Sequence, residues 1–120
     1  MGLDISLGIE KWVSYDKGKT HKTEMEYVYD SSMTHNLNTM AKESGIYNAI
    51  WRPEEISVHK AEGIIQLLEV GLVMLKSRPK YFKKFNSPNG WGTYEQFVPF
   101  IEEYLNSCKE YPNADIFVSR

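Results

Sequence analysis

Leu3-Asp4-Ile5-Ser6-Leu7-Gly8-Ile9-Glu10 alternates without a break: Leu3, Ile5, Leu7 and Ile9 fall on one side, Asp4, Ser6, Gly8 and Glu10 on the other. A period of two is what a β-strand with one buried face requires, because successive side chains point to opposite faces of a sheet. Val13 and Tyr15 continue the pattern imperfectly, and Asp16-Lys17-Gly18-Lys19 then supplies a turn in which Gly18 can take a positive φ. Alternation resumes from Thr20 to Tyr29, with Met25, Tyr27 and Tyr29 opposed to Glu24, Glu26 and the out-of-phase Val28. The N-terminal segment is therefore expected to form an antiparallel hairpin.

Outward from that hairpin the period changes. Asp30-Ser31-Ser32-Met33-Thr34 breaks the alternation, and the Thr34 hydroxyl suits the N-cap of a first helix of about three turns, with Leu37, Met40 and Ala41 as its apolar stripe and Ser44-Gly45 as its end. Ile46 to Trp51 is short and strongly apolar and is compatible with a helical turn leading into Arg52-Pro53. Ser57 is expected to cap a central helix whose stripe is Ala61, Ile64, Ile65, Leu68, Leu72 and Leu75, broadened by Leu67, Val70, Val73 and Met74. Gly63 and Gly71 each weaken that helix by about 1 kcal/mol relative to Ala unless something packs closely against them. Pro79 opens a short helix carrying Tyr81, Phe82 and Phe85, and Thr93 with Gln96 forms a capping box for a last helix through Tyr94, Phe97, Val98, Ile101, Leu105 and Cys108. Pro99 predicts a kink or a reset of the start of that helix.

Asp115 to Ser119 alternates again, with Ile116 and Val118 on one face. Placing it beside the first strand buries both apolar faces under the helices. The fold class expected is α+β: a small antiparallel sheet, made of the N-terminal hairpin plus the C-terminal strand, against a layer of three to four helices in the order ββααα(α)β. At 120 residues and 42% hydrophobic content, a single domain spanning 1–120 is expected.

Charge and cysteine usage remove several function classes. The formal net charge is -2 and Lys and Arg are scattered except between Lys76 and Lys84, so a basic face for duplex nucleic acid is not expected. Cys108 is alone, no charged leader precedes an apolar core, and a cytoplasmic location is expected. The apolar run Ile64 to Leu75 is interrupted by Gln66, Glu69 and Gly71 and falls short of the ~20 residues of a membrane span.

Three segments carry the residue types of a recognition site. His35 and Asn36 occupy the first turn of the first helix, where unpaired N–H groups favour an anion; the alternative is that they only complete the cap or contact the sheet edge. Arg52 offers a guanidinium fork beside the ring of Trp51; the alternative is an Arg52 paired with Glu54 or Glu55 and a Trp51 in the core. The loop from Phe85 to Thr93 holds Pro88, Asn89, Gly90 and Gly92, residues that turn the chain tightly and admit a ligand to bare backbone, with Trp91 and Tyr94 among them; the alternative is that Trp91 plugs the core. The candidate ligand-binding set is His35, Asn36, Trp51, Arg52, Asn89, Gly90, Trp91, Gly92 and Tyr94, and it requires the three segments to meet. His21, His35 and His59 lack metal-ligand spacing, so neither a metal nor a cofactor is expected. Glu54 and Glu55 read as solvated dipole complement and Cys108 as a core residue, which leaves no catalytic set.

Thr34-His35-Asn36-Leu37, Met40-Ala41, Gly45-Ile46-Tyr47, Trp51-Arg52-Pro53-Glu54-Glu55 and Phe85 through Tyr94 together resemble a largely uncharacterised family of small proteins from phages, prophages and bacteria. The resemblance covers nearly the whole chain; Trp12 to His21 departs from the family pattern. It brings no settled reaction, and it implies the cytoplasm of a bacterial host. By analogy with phage sponges, which hold nucleotide messengers of bacterial immunity such as cyclic ADP-ribose isomers or cyclic oligonucleotides, it implies non-catalytic binding of a small anionic nucleotide-like ligand. A protein-interaction module anchored on Trp91 is the alternative, with a small hydrolase third, and self-association into a homo-oligomer is compatible with each.

Overall fold

The computed structural model describes the backbone of residues 2–15 and 20–120 and the side chains of 2–11 and 23–120; the turn expected at Asp16–Lys19 lies outside them. β1 runs Gly2–Tyr15 and β2 Thr20–Thr34, followed by α1 (Asn38–Glu43), α2 (Tyr47–Trp51), α3 (Ile65–Ser77), α4 (Pro79–Lys83), α5 (Tyr94–Glu110) and β3 (Asp115–Ser119). The sheet is antiparallel throughout in the order β2-β1-β3, with Ile5 opposite Val118 and Leu7 opposite Ile116. The α+β class and the place of the C-terminal strand beside the first are as the alternation predicts.

Leu3, Ile5 and Leu7 project from β1 into a core closed by Phe97, Ile101 and Tyr104 of α5, Leu68 and Leu75 of α3 and Phe82 of α4. β3 reaches only to Gly8, whereas β1 and β2 pair on to Tyr15 and Thr20. The hairpin thus extends as a two-stranded arm and lengthens the molecule to 60 × 27 × 23 Å.

Several local expectations are corrected. β2 does not stop at Tyr29 but continues to Thr34, because Asp30, Ser31 and Ser32 pair with Ser6, Ile5 and Asp4 of β1. The register slips where Leu7 faces Tyr29 and Gly8 faces Tyr27, leaving Val28 as the extra residue of a bulge. Tyr29 and Tyr27 consequently part: Tyr29 stacks on buried Tyr104 at 5.8 Å, while Tyr27 is 59% exposed and meets Phe117 edge-on. The first helix is a 3-10 turn (His35–Leu37) that passes into the short α1.

Ser57 does not cap the central helix. It sits in the left-handed region at φ 58°, ending a 3-10 turn over Pro53–Ile56, and the helix starts instead through a 3-10 turn at Ala61–Ile64. Its first amides donate to distant carbonyls, Ala61 N–H to Ala114 and Glu62 N–H to Pro112, both at 2.9 Å. Gly71 and Gly63 are approached by the side chains of Ile46 and Val58 respectively. α5 begins at the expected capping box and runs through Pro99 without a reset, since Pro99 is exposed and a carbonyl deprived of its donor there can turn to water. Among the described residues no helix is long and apolar enough to cross a membrane.

Candidate functional site

Two of the three candidate segments meet at the end of the hairpin. Thr34 closes β2 and caps the turn that follows, its hydroxyl accepting from Asn36 N–H at 3.2 Å. Asn36 Nδ2 then donates to the Trp91 carbonyl at 2.8 Å, tying the cap to the loop before α5. Gly92 takes φ 107° and lies against Thr34 and Asn36, where a Cβ would fall 2.9 Å from that of Asn36. Glycine is required there both for its backbone angle and for the close approach.

The loop is held by side chains that bond back to its own backbone. Asn89 Oδ1 accepts from Trp91 N–H at 2.9 Å and from Ser87 Oγ at 2.6 Å. Gln96 Oε1 accepts from Gly92 N–H and Thr93 N–H, its Nε2 donates to the Gly90 carbonyl, and Asn86 Oδ1 accepts from Tyr94 N–H at 2.7 Å. Tyr94 turns inward, its hydroxyl donating to the Leu75 carbonyl of α3 at 3.0 Å. Asn89, Gly90, Gly92 and Tyr94 therefore build the loop, and Trp91 is the side chain it displays: 73% exposed, rather than plugging the core.

Trp51 has the opposite fate. It is 2% exposed, stacked on Tyr47 at 5.5 Å, and its indole N–H donates to His35 Nδ1 at 2.9 Å. An indole nitrogen can only donate, so Nδ1 is the acceptor and the ring proton of His35 belongs on Nε2. Trp51 thus offers no face for stacking and instead orients His35. Replacing His35 by alanine strands a buried indole N–H, and chemical denaturation is expected to read a loss of about 1–3 kcal/mol, largely recovered when Trp51 is changed to Phe in the same chain.

Arg52 is engaged by Tyr47 Oη at 3.4 Å and by Glu55 at 3.3 Å, and Glu54 by Arg120 at 2.6 Å. Those contacts hold Arg52 and Glu54 in exposed ion pairs, and neither lines the groove that the first two segments form. That groove is open, of about 690 Å³, and is lined by Gly2, Ser32, Met33, Thr34, His35, Asn36 and Trp91. Gly2, Ser32 and Met33, which sequence reasoning did not select, enter through the unforeseen extension of β2. Among the described residues no Lys, Arg, Asp or Glu lines the groove. A smaller depression on the outer sheet face carries Asp4 and Asp30, which would repel an anion.

The helix start at His35 adds little macrodipole, since α1 is six residues long. Among the described residues no group of three or more His, Cys, Asp or Glu is placed to hold a metal ion. The arrangement can present an indole face, the His35 Nε2–H and small polar groups to something laid along it. Compared with protein-family models, curated proteins and solved structures, the chain matches none.

Proposed function

We propose that this chain is a binding protein whose contact residue is Trp91, and that its partner is a polypeptide segment laid in the groove between Trp91 and the His35–Asn36 turn. The observation that carries the reading is the exposed Trp91 ring on a loop whose backbone is already fixed by Asn36, Asn86, Asn89 and Gln96. A large aromatic displayed on a preorganised loop sacrifices little conformational entropy on binding, and tryptophan is the residue type most enriched among interface residues of large energetic effect. The shape and lining of the groove support the same reading: it is open, and among the described residues that line it there is no Lys or Arg for a phosphate.

A nucleotide-like ligand, held without turnover as a sponge would hold it, is the second reading. His35 and Asn36 favour it, because they line the same groove as the indole and supply hydrogen-bonding groups beside a stacking surface. In that case the base and sugar, more than the phosphates, provide the contacts.

Trp91→Ala distinguishes binding from structure. With the ring exposed, the melting temperature is expected to stay within a degree or two of wild type, while affinity for a partner recovered on the immobilised wild-type protein falls about thirtyfold, the effect of a 2 kcal/mol contact. Undiminished capture by Trp91→Ala would remove Trp91 from the interface. Thermal shift with ADP-ribose and cyclic nucleotides decides between the readings: stabilisation that vanishes in Trp91→Ala selects the nucleotide.

A further inference from the structure

α3 turns an apolar face to solvent. Leu68, Gly71 and Leu75 are buried, yet Leu67, Val70, Val73 and Met74 on the opposite side are exposed, Val70 by 56% and Val73 by 69%. Only Gln66 and Ser77 accompany them there, so the exposed stripe carries no charge. The charged groups of α3 lie at its flank, where Glu69 pairs with Lys109 and Lys76 with Glu102 of α5. A helix with one buried stripe normally shows water a polar one; two apolar stripes mean that a second contact is built in.

From the spacing and the charges of this face we infer that it pairs with a second copy of itself, antiparallel, about a two-fold axis beside Val70. An isologous contact requires a surface complementary to itself. In this one, residues three before and four after Val70, Leu67 and Met74, lie on the same side of the stripe, so antiparallel pairing about an axis half a residue beyond Val70 sets Leu67 of each copy on Met74 of the other and brings the two Val70 side chains together. The ends agree in charge: Glu62 stands at the start of the face, and Arg78 and Lys80 follow its finish. Antiparallel copies bring acid to base at both ends, whereas parallel copies oppose like charges.

A 13-residue helix is about 20 Å long, and one helix face covers less than the roughly 800 Å² per partner of a standard interface. The dimer is therefore weak and responsive to concentration. This contact is independent of the Trp91 groove and stands whether or not that reading holds.

Sedimentation equilibrium over about 10 to 1000 μM tests it. The weight-average mass of wild type is expected to rise from 14.0 kDa toward twice that value, while Val70→Glu stays monomeric with an unchanged circular dichroism spectrum and an unchanged Trp91-dependent binding. Position is tested by mild oxidation of single-cysteine chains in a Cys108→Ala background: Val70→Cys, beside the axis, should crosslink to itself at least tenfold faster than Glu110→Cys, at the far end of α5. A wild type that remains at 14.0 kDa throughout, a Val70→Glu that still dimerises, or equal crosslinking at the two positions would each overturn the proposal.

Discussion

Gly71→Leu is expected to cost about 3 kcal/mol or more, the upper range for forcing extra carbons into a packed interior, and to lower the melting temperature on the order of 10 °C. The cause is the place where α3 crosses the start of α2. A Cβ built on Gly71 runs into Cγ2 of Ile46, itself fully buried. Ile46 cannot swing aside, because a β-branched side chain has few χ1 options and this one is enclosed. Gly71→Ala poses the question more sharply, since alanine gains about 1 kcal/mol in helix propensity and carries only the one offending carbon. Destabilisation by Gly71→Ala is still expected, and urea midpoints measure it. A more stable Gly71→Ala would mean that α2 can withdraw from α3. Ile46→Ala in the same chain should restore part of the loss, giving the non-additivity of two residues in contact.

That crossing also shows where reading the chain in one dimension succeeds. Two glycines inside a strongly apolar helix announce a close approach, but not by what. The alternation of Leu3 to Ile9 and the capping box at Thr93 are local signals tied to local geometry, and both elements form where those signals lie. The extension of β2 and the start of α3 depend on partners far along the chain. Asp30 to Ser32 carry no hydrophobic alternation, yet the hydrogen-bonding edge of β1 takes them, with Ser32 Oγ donating to Asp4 at 2.5 Å. Ala61 and Glu62 carry no local cap, because Ala114 and Pro112 accept from them across the fold.

The candidate site divides along the same line. Asn36, Asn89 and Gly92 were legible as turn and cap residues, and Gly92 takes the expected positive φ, but the bonds that Asn36 makes to the Trp91 carbonyl and Asn89 to the Trp91 N–H were not. The fates of the two tryptophans were not legible. Trp51 and Trp91 both stand beside turn formers, but Trp51 lies on α2, buried with a histidine to take its N–H, and Trp91 lies on the loop before α5 with its ring exposed. Burial is decided by what else occupies the interior, and no window of sequence contains that.

Alkaline pH is expected to unfold this protein earlier than its ion pairs would suggest. Cys108 is buried on α5, and desolvation pushes its thiol up from 9.0 to about 12. The same desolvation raises Tyr104, one turn earlier on the helix, well above the ordinary value of 10.0. In both groups the neutral form is favoured by folding, so the native state holds its protons while the unfolded chain releases them. Stability is therefore full below about pH 9 and declines as pH rises toward 12, by up to about 1.4 kcal/mol per unit for Cys108 alone, with Tyr104 adding to the slope above pH 10. Urea midpoints between about pH 8 and pH 10.5 read that slope. Cys108→Ala removes a buried sulfur and begins from a lower midpoint, so the comparison lies in the gradient, which should be visibly shallower than in wild type. Tyr104→Phe should change little at neutral pH, because the Tyr104 hydroxyl is buried without a hydrogen-bond partner and its removal leaves nothing unpaired. It should flatten the decline only above pH 10. Equal gradients in wild type and Cys108→Ala would place the thiolate in water, and so contradict the packing of α5 against the sheet on which the whole core depends.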